Sequence, residues 1–474
     1  YFMFRLKLHA ELVLTLVIFC ALLFIGINVN TIGDTGDSVT HYLFSRYSFN
    51  HPHFFLHHWA KPVFVLLSSP FSQFGFNGII FFNCLCASLT ALFCFYTARN
   101  LKLQNAYLVF VFIFFSPLYF KFIFSGLTEY LFGLFLIIGI YFYTKSKFQI
   151  ALIVISFLPL VRSEGLLILG VFGILLLLKH EYKLLPLLFV GQFLYTIIGA
   201  SYYKDIFWVF NKIPYAHLGS PYGSGQLFDF VHKLNYVIEK PIYLLLVIGL
   251  FSILFSLYTN GHKSTSNGKK MLVFGAFISV FLGHTIFWWL GIFNSMGLPR
   301  VLIGVVPAIA LIALIGVNTI TSCVNNKSFQ YSWIALVIIL VCYYPFHYRP
   351  KGVNFNNALF TIPEKELMDN ELLPFLKENI AANTRQPLYY SNPYFSVALN
   401  RDHFNPKSHL EIQQIYTDSV LPESIIVWDD WYSAHENGIQ LEQLLLDKRF
   451  ICLNKFTCSD KDRTIVFVVF KKYF

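Results

Sequence analysis

Gly33-Asp34-Thr35-Gly36-Asp37-Ser38 is a short polar stretch between two runs apolar enough to cross a bilayer, residues 11–29 and 77–97. It opens a loop, residues 30–76, that continues through His41-Tyr42 and His51-Pro52 to Trp59-Ala60-Lys61-Pro62. Asp34 and Asp37 are three residues apart, so a helical segment places both carboxylates on one face. The alternative is a solvated loop whose Asp residues cap a helix near Gly36.

Working outward, the rest of the chain fits a protein solvated by lipid. Of its 474 residues 56% are hydrophobic and 13% charged, and the mean hydropathy of +0.59 exceeds what a water-soluble globule carries. The 54 Phe and 28 Tyr suit lipid-facing helices with rings at the interface. A formal charge of +10 is scattered between apolar spans without a basic stripe, which argues for topology and anionic lipid and against nucleic acid.

Candidate spans are 11–29, 77–97, 106–123, 127–144, 149–161, 165–179, 184–203, 241–258, 271–291, 301–319 and 330–346, about eleven in all. The first is too long for a signal-peptide core and has no small-residue cleavage site, so it reads as a membrane helix. With the N-terminus inside, the short cytoplasmic connections carry Arg5 and Lys7, Arg99 and Lys102, Lys145 and Lys147, Lys179 and Lys183, Lys263, Lys269 and Lys270, and Lys327. The long loops 30–76 and 204–240 then face away from the cytoplasm, as does the C-terminus. Short cytoplasmic loops and compact size favour a bacterial inner membrane over an endoplasmic reticulum membrane.

The expected architecture is an all-α polytopic membrane domain, residues 1–346, with the 30–76 loop carrying the site, followed by a small extracytoplasmic α/β domain, residues 347–474. In that tail Glu364 to Ala381 has helical spacing interrupted by Pro374. Short β-rich runs follow at Pro387–Tyr390, Ser424–Trp428, Phe450–Leu453 and Thr464–Lys471. Five of the eight Cys lie in apolar spans; Cys452 and Cys458 share a polar region, where a bridge and free thiols are both open. Trp428-Asp429-Asp430-Trp431-Tyr432, at a strand end, reads as a turn with packed Trp rings; its likeness to the Trp-Trp-Asp motif of oligosaccharyltransferases is superficial.

Loop 30–76 combines Asp34, Asp37, His41, Arg46, His51, His53, His57, His58 and Lys61 with Trp59 and other rings. Cations for phosphate, aromatic faces for a pyranose and a carboxylate to take a hydroxyl proton together suit an anionic, sugar-bearing head group. A loop this long is more often functional than idle.

The series Asp37-Ser38-Val39-Thr40-His41-Tyr42, His51-Pro52 and Trp59-Ala60-Lys61-Pro62, with the run to Phe74-Gly75, resembles the first outer loop of glycosyltransferases of the C fold. The likeness is to the protein mannosyltransferase-like and lipid A aminoarabinose transferase families. Those families carry an Asp-Glu pair, an aromatic, a proline and then a Lys-Pro before an amphipathic helix. Asp37 matches the Asp that serves as catalytic base or positions the acceptor, and Lys61 the lysine near the donor phosphate. Ser38 stands where the Glu is usual, and Asp34 offers a second carboxylate, so either Asp fits the role of base.

Three further places agree with the resemblance. Glu129, in Ser125-Gly126-Leu127-Thr128-Glu129-Tyr130, looks like the second acidic position; a carboxylate at a helix N-terminus is the plain alternative. Arg162 and Glu164 break two short apolar halves, where charges are functional or mutually paired. Arg300, in Asn294-Ser295-Met296-Gly297-Leu298-Pro299-Arg300, resembles the arginine that binds the lipid phosphate ahead of a late helix; a snorkelling arginine is the alternative.

The resemblance implies an inverting transfer, at the outer face, of a mannosyl-type hexose from a polyprenyl-phosphate sugar to a protein, lipid or glycan acceptor. Two Asp with nearby His allow a divalent metal, although no ligand spacing demands one. The rival classes are a transporter or flippase, which calls for paired broken helices, and a ligase of lipid-linked polysaccharide.

Overall fold

The computed structural model describes residues 2–215, 219–260, 265–347, 349, 352–379, 388–417, 420, 422–460 and 463–473. Lys263, Ile380, Ala381 and Pro387, used above, lie outside the described residues. The chain divides into two compact units, Tyr1–Val29 with Pro52–Leu359, and Asn30–His51 with Phe360–Phe474.

The first unit is helical. Among the described residues, seven of its helices are long and apolar enough to cross a membrane: Ala10–Asn28, Phe76–Asn100, Tyr182–Tyr203, Asp229–Thr259, Asn267–Leu290, Pro299–Ser322 and Lys327–Phe346. The other four expected spans are helical but short. Residues 106–123 divide at Phe115-Ser116 into Leu108–Phe114 and Pro117–Phe122, because Pro117 cannot continue the helix before it. Glu129–Thr144 has 16 residues and Gly165–Leu178 has 14, at roughly 1.5 Å of rise each less than the hydrocarbon thickness. Phe148–Ser156 and Leu158–Val161 complete the set. Eleven apolar segments are thus present where the hydropathy places them, and seven have membrane-spanning length.

Two of the long helices form the interior. Pro299–Ser322 is 89% buried and Phe76–Asn100 78%, against 22% for Ala10–Asn28, whose Val13, Leu16 and Val17 face outward. Apolar residues turned outward on this scale are what a lipid solvent allows. The break at Arg162 is sharp: its backbone is extended (φ −155°, ψ 145°). A Cβ on Gly165 would lie 2.4 Å from the backbone of Leu158 and Pro159, so only glycine lets the two halves fold back so closely. A second interruption falls at Glu239 (φ 64°, ψ 161°) ahead of Pro241, inside Asp229–Asn260. The hydropathy marks a span only from 241, because the residues before Pro241 are polar, and it gives no sign that helix continues on that polar side of Glu239.

The second unit carries a four-stranded sheet, β1 Leu388–Tyr389, β2 Ile425–Asp429, β3 Phe450–Asp460 and β4 Arg463–Lys472, in the order β1-β2-β4-β3. β1 runs parallel to β2, and β4 pairs antiparallel with β2 and β3. Both faces of β4 are covered: Val468 and Phe470 join Ile426, Trp428, Ile412 and Leu444 in one cluster, while Phe467 meets Phe395 on the other. Pro374 sits in the first turn of Leu373–Asn379, and the turn before it, Met368–Leu372, widens to a π-helical turn. That widening accommodates the amide hydrogen the proline lacks.

Cys452 and Cys458 do not form a disulfide. Both lie on β3, and six residues of extended strand separate them by roughly 20 Å, three times the reach of a disulfide.

The first part of the 30–76 loop belongs to this second unit. Asp37–Tyr47 is a helix burying Val39, Tyr42, Leu43 and Phe44, with Asp37 in its first turn and Arg46 in its last, each matched to the helix dipole. Its flanks are stitched to the C-terminal chain: Lys365 donates to Asn30 (3.0 Å), Thr35 to Glu364 (2.7 Å), and His51 pairs with Asp402 (2.9 Å). The rest of the loop, from Pro52, belongs to the first unit and holds the helix Pro62–Ser72, which follows Lys61 directly.

Candidate active site

In the first unit, the break between Val161 and Gly165 aims Arg162 at two carboxylates. Its Nη1 lies 2.8 Å from Glu129 Oε1 and donates to Thr128 Oγ1 at 3.1 Å; its Nη2 lies 2.7 Å from Glu164 Oε1. Glu129 opens the helix Glu129–Thr144 and is 1% exposed, and its Oε2 has no hydrogen-bond partner. His284, from Thr265–Leu290, places Nε2 3.2 Å from Glu164 Oε1. Two acids therefore share one arginine, and the histidine backs Glu164, so the guanidinium is already charge-compensated by protein.

Lys61 reaches the same break from the other side, donating from Nζ to Ser163 Oγ at 3.2 Å. Its backbone is left-handed (φ 67°, ψ 91°), a strained conformation for a side chain with a Cβ. Arg300, in the 3₁₀ turn Pro299–Val305, stands near enough for its charge to bear on Arg162. His58 packs edge-on against Trp208 with ring centroids 5.6 Å apart. Together with Ser163, Gln192 and Phe210 it lines a small cavity of about 20 Å³, room for one water. Burial, reinforced by the Lys61 charge, pushes the His58 imidazolium pKa down to about 4, so the ring is neutral at physiological pH. Trp59 donates its indole N–H to the Tyr215 hydroxyl. The structure thus brings Lys61, Ser163, Arg162, Glu129, Glu164 and His284 together, with Arg300 and His58 adjacent.

The two aspartates lie in the second unit, in different surroundings. Asp34 Oδ1 accepts the backbone N–H groups of Gly36 and Ser38, both at 3.0 Å, which makes it the cap of the following helix. Asp37 begins that helix and is half-buried. Both carboxylates act electrostatically on Tyr432, whose hydroxyl is raised well above the usual range by burial first and then by Glu364, Asp34, Glu436 and Asp37. Gly36 is where this ring passes: a Cβ there would sit 2.5 Å from the Tyr432 hydroxyl.

Tyr432 belongs to the Trp428-Asp429-Asp430-Trp431-Tyr432 run, which is a turn. Trp428 is buried and donates to Ile439 O (2.7 Å), while Asp429 accepts the backbone N–H of Trp431 and of Tyr432 at 3.1 and 2.6 Å. Glu364, bonded by Thr35 and by Asn392 (2.8 Å), stands close by, and burial raises its carboxyl and that of Glu436. Asp37 thus stands within reach of this acidic cluster, its charge adding to the rise of the Tyr432 hydroxyl and of the Glu436 carboxyl.

Asp429 gives this cluster a measurable pH signature. Burial, with Glu364 adding to it against the opposing amide donors, raises the Asp429 carboxyl to about 7. Its folded pKa lies above its unfolded one, so the stability it contributes is complete below about pH 4 and declines as pH rises through 7. The thermal midpoint of the full chain should fall between pH 4.5 and 7.5, and Asp429→Asn should flatten that slope. An equal slope in the variant would assign the pH dependence elsewhere.

Among the described residues, the group whose ligand atoms have metal spacing is His403, His409 and Glu411, within 4.8 Å of one another, and neither aspartate belongs to it. His409 already places Nδ1 on His403 O (2.6 Å) and Nε2 on Tyr390 O (3.0 Å), so a cation would have to displace one of them.

The sequence reading missed His284, Ser163, Glu364 and Tyr432. His284 carried a signal, a titratable residue inside an apolar span. Glu364 carried none, and Tyr432 only its place in the Trp428–Tyr432 run read as a turn, since their meeting with Thr35 and Asp34 depends on chain pairing across some 330 to 400 residues.

No family model matches the chain, and no curated protein sequence matches it. Among solved structures, ArnT from Cupriavidus metallidurans bound to undecaprenyl phosphate superposes with a TM-score of 0.62 at 11% identity, over 97% of this chain and 98% of that one. The same protein in its apo state gives 0.58 at 12% identity, over 98% of each chain. The chain is an integral membrane protein with the C fold of the lipid A aminoarabinose transferases.

Proposed function

We propose that this protein is a membrane glycosyltransferase that moves a sugar from a polyprenyl-phosphate donor to a nucleophilic acceptor on the outer membrane face. The observation that carries the reading is the fold match over nearly the whole chain to a structure holding undecaprenyl phosphate. A polyprenyl chain cannot leave the bilayer, so its head group must meet the acceptor at the interface. The basic short connections support the 30–76 loop on that outer side.

Asp37 accepts the acceptor proton as the new bond to the anomeric carbon forms. The bond from that carbon to the phosphate oxygen breaks, and its electron pair leaves with the phosphate. Lys61 and Arg300 stabilise the charge that develops on the leaving phosphate. The strained backbone at Lys61 supports a functional role, since such strain clusters at sites. Arg162, compensated by Glu129 and Glu164, holds the break in shape and fixes Ser163, the partner of Lys61. Neutral His58 and the Trp59 ring are the candidates to line the sugar. Asp34 caps the Asp37 helix. The sugar is a hexose of the mannosyl type, and the acceptor is a protein, lipid or glycan.

The test is conversion of a radiolabelled polyprenyl-phosphate sugar by the purified protein in lipid nanodiscs, with a panel of acceptors. Free polyprenyl phosphate and a labelled acceptor are the expected products, and Lys61→Met should lower kcat/KM by roughly 10²- to 10³-fold. Passage of intact donor across a proteoliposome membrane without cleavage would reject the transferase.

A further inference from the structure

A second cavity lies apart from these residues, at the end of the first unit that carries the basic connections. It measures about 490 Å³ and is lined by Glu11, Leu12, Tyr96, Arg99, Asn100, Tyr141 and Lys145. These come from the helices Phe2–Asn28, Phe76–Asn100 and Glu129–Thr144 and the residue after the last of them.

Its chemistry is two-signed. Arg99 and Lys145 stand exposed at its rim, beside the rings of Phe95 and Tyr141 (5.8 and 6.0 Å). Glu11 is 3% exposed: its Oε1 takes a long bond from the Tyr96 hydroxyl (3.4 Å), while Oε2 is buried with no hydrogen-bond partner. A carboxylate oxygen desolvated without a donor is costly, and a ligand donor in the cavity removes that cost. The two rim cations suit a phosphate.

We infer that this cavity binds the head group of a phospholipid bearing a primary ammonium, its phosphate at Arg99 and Lys145 and its ammonium on Glu11. A quaternary ammonium would leave Glu11 Oε2 unsatisfied, because it has no N–H to donate. A membrane lipid, rather than a soluble zwitterion, fits the wall. Leu12 lines the cavity and continues into the outward apolar face of Val13, Leu16 and Val17, along which acyl chains can lie. The site is independent of the transfer chemistry proposed above.

Native mass spectrometry of the detergent-solubilised full chain, titrated separately with phosphatidylethanolamine, phosphatidylcholine and phosphatidylglycerol, tests this. The parent should retain phosphatidylethanolamine about tenfold better than the other two. Glu11→Gln, close to isosteric, should bring it down to the phosphatidylcholine level, and Arg99→Ala with Lys145→Ala should weaken all three. Equal retention of the ethanolamine and choline lipids by the parent, or an unchanged preference in Glu11→Gln with an unchanged thermal midpoint, overturns the site. A Glu11→Gln protein that unfolds is replaced by Glu11→Asp, in which the preference should fall but survive; its loss of all lipid binding counts against the assignment. Displacement of the lipid by equimolar glycerophosphoethanolamine overturns the lipid as occupant.

Discussion

Asp37→Asn is expected to lower sugar transfer by roughly 10²- to 10⁴-fold while donor affinity stays within about twofold of the parent. The amide is nearly the size of the carboxylate, and an uncharged group in the first helical turn costs only about 0.3–1 kcal/mol of dipole interaction, too little to unfold the unit. What is lost is proton acceptance. The effect should fall on kcat, since a base acts on the transition state and not on donor binding. Asp34→Asn is the control that separates the two acids. Its Oδ1 can still accept from Gly36 and Ser38, so the cap persists and transfer should stay within about tenfold of the parent. Asp34→Ala removes the acceptor altogether and should cost about 1 kcal/mol of stability, not chemistry. The reverse pattern, with Asp34→Asn inactive and Asp37→Asn active, would move the base to Asp34. Full activity in both would make this stretch structural.

What the sequence revealed and what it hid divide along physical lines. Membrane helices are written in local composition, so all eleven apolar segments are found, and Pro374 marks a real interruption. Length is harder to read, because Phe115-Ser116 lies inside an unbroken hydrophobic run and its backbone angles come from packing. Asp34 and Asp37 were visible as a pair, but not the division between a capping Asp34 and a half-buried Asp37. That division depends on which amides Asp34 reaches. The assignment of 30–51 to the C-terminal unit was not legible at all. It rests on Thr35 to Glu364, Lys365 to Asn30 and His51 to Asp402, each a pairing of residues hundreds of positions apart. Local pattern cannot encode such partners, and the proposed boundary at 347 passes over them. Cys452 and Cys458 fail in the opposite sense: close in sequence, they are held apart by the extended strand between them.

Arg162→Met should be the most destabilising single change in the first unit, at about 3–5 kcal/mol, because it leaves Glu129 and Glu164 buried without their cation. Glu129 is the sharper loss, since its Oε2 already lacks a partner and Arg162 is its one ion pair among the described residues. His284 can still serve Glu164, so that acid is partly protected. The expectation is therefore graded. Arg162→Lys, which keeps the charge but not the forked geometry, should fall between parent and Met. Adding Glu129→Gln to Arg162→Met should recover more than half of the loss, because the stranded charge is removed with its partner. Thermal unfolding in nanodiscs of the four proteins and the Glu129→Gln single variant closes the double-mutant cycle. A coupling above about 1.5 kcal/mol identifies the pair as a structural clamp on the break that presents Ser163 to Lys61. Additive losses, with donor affinity falling instead of stability, would return Arg162 to the donor phosphate, alongside Lys61 and Arg300.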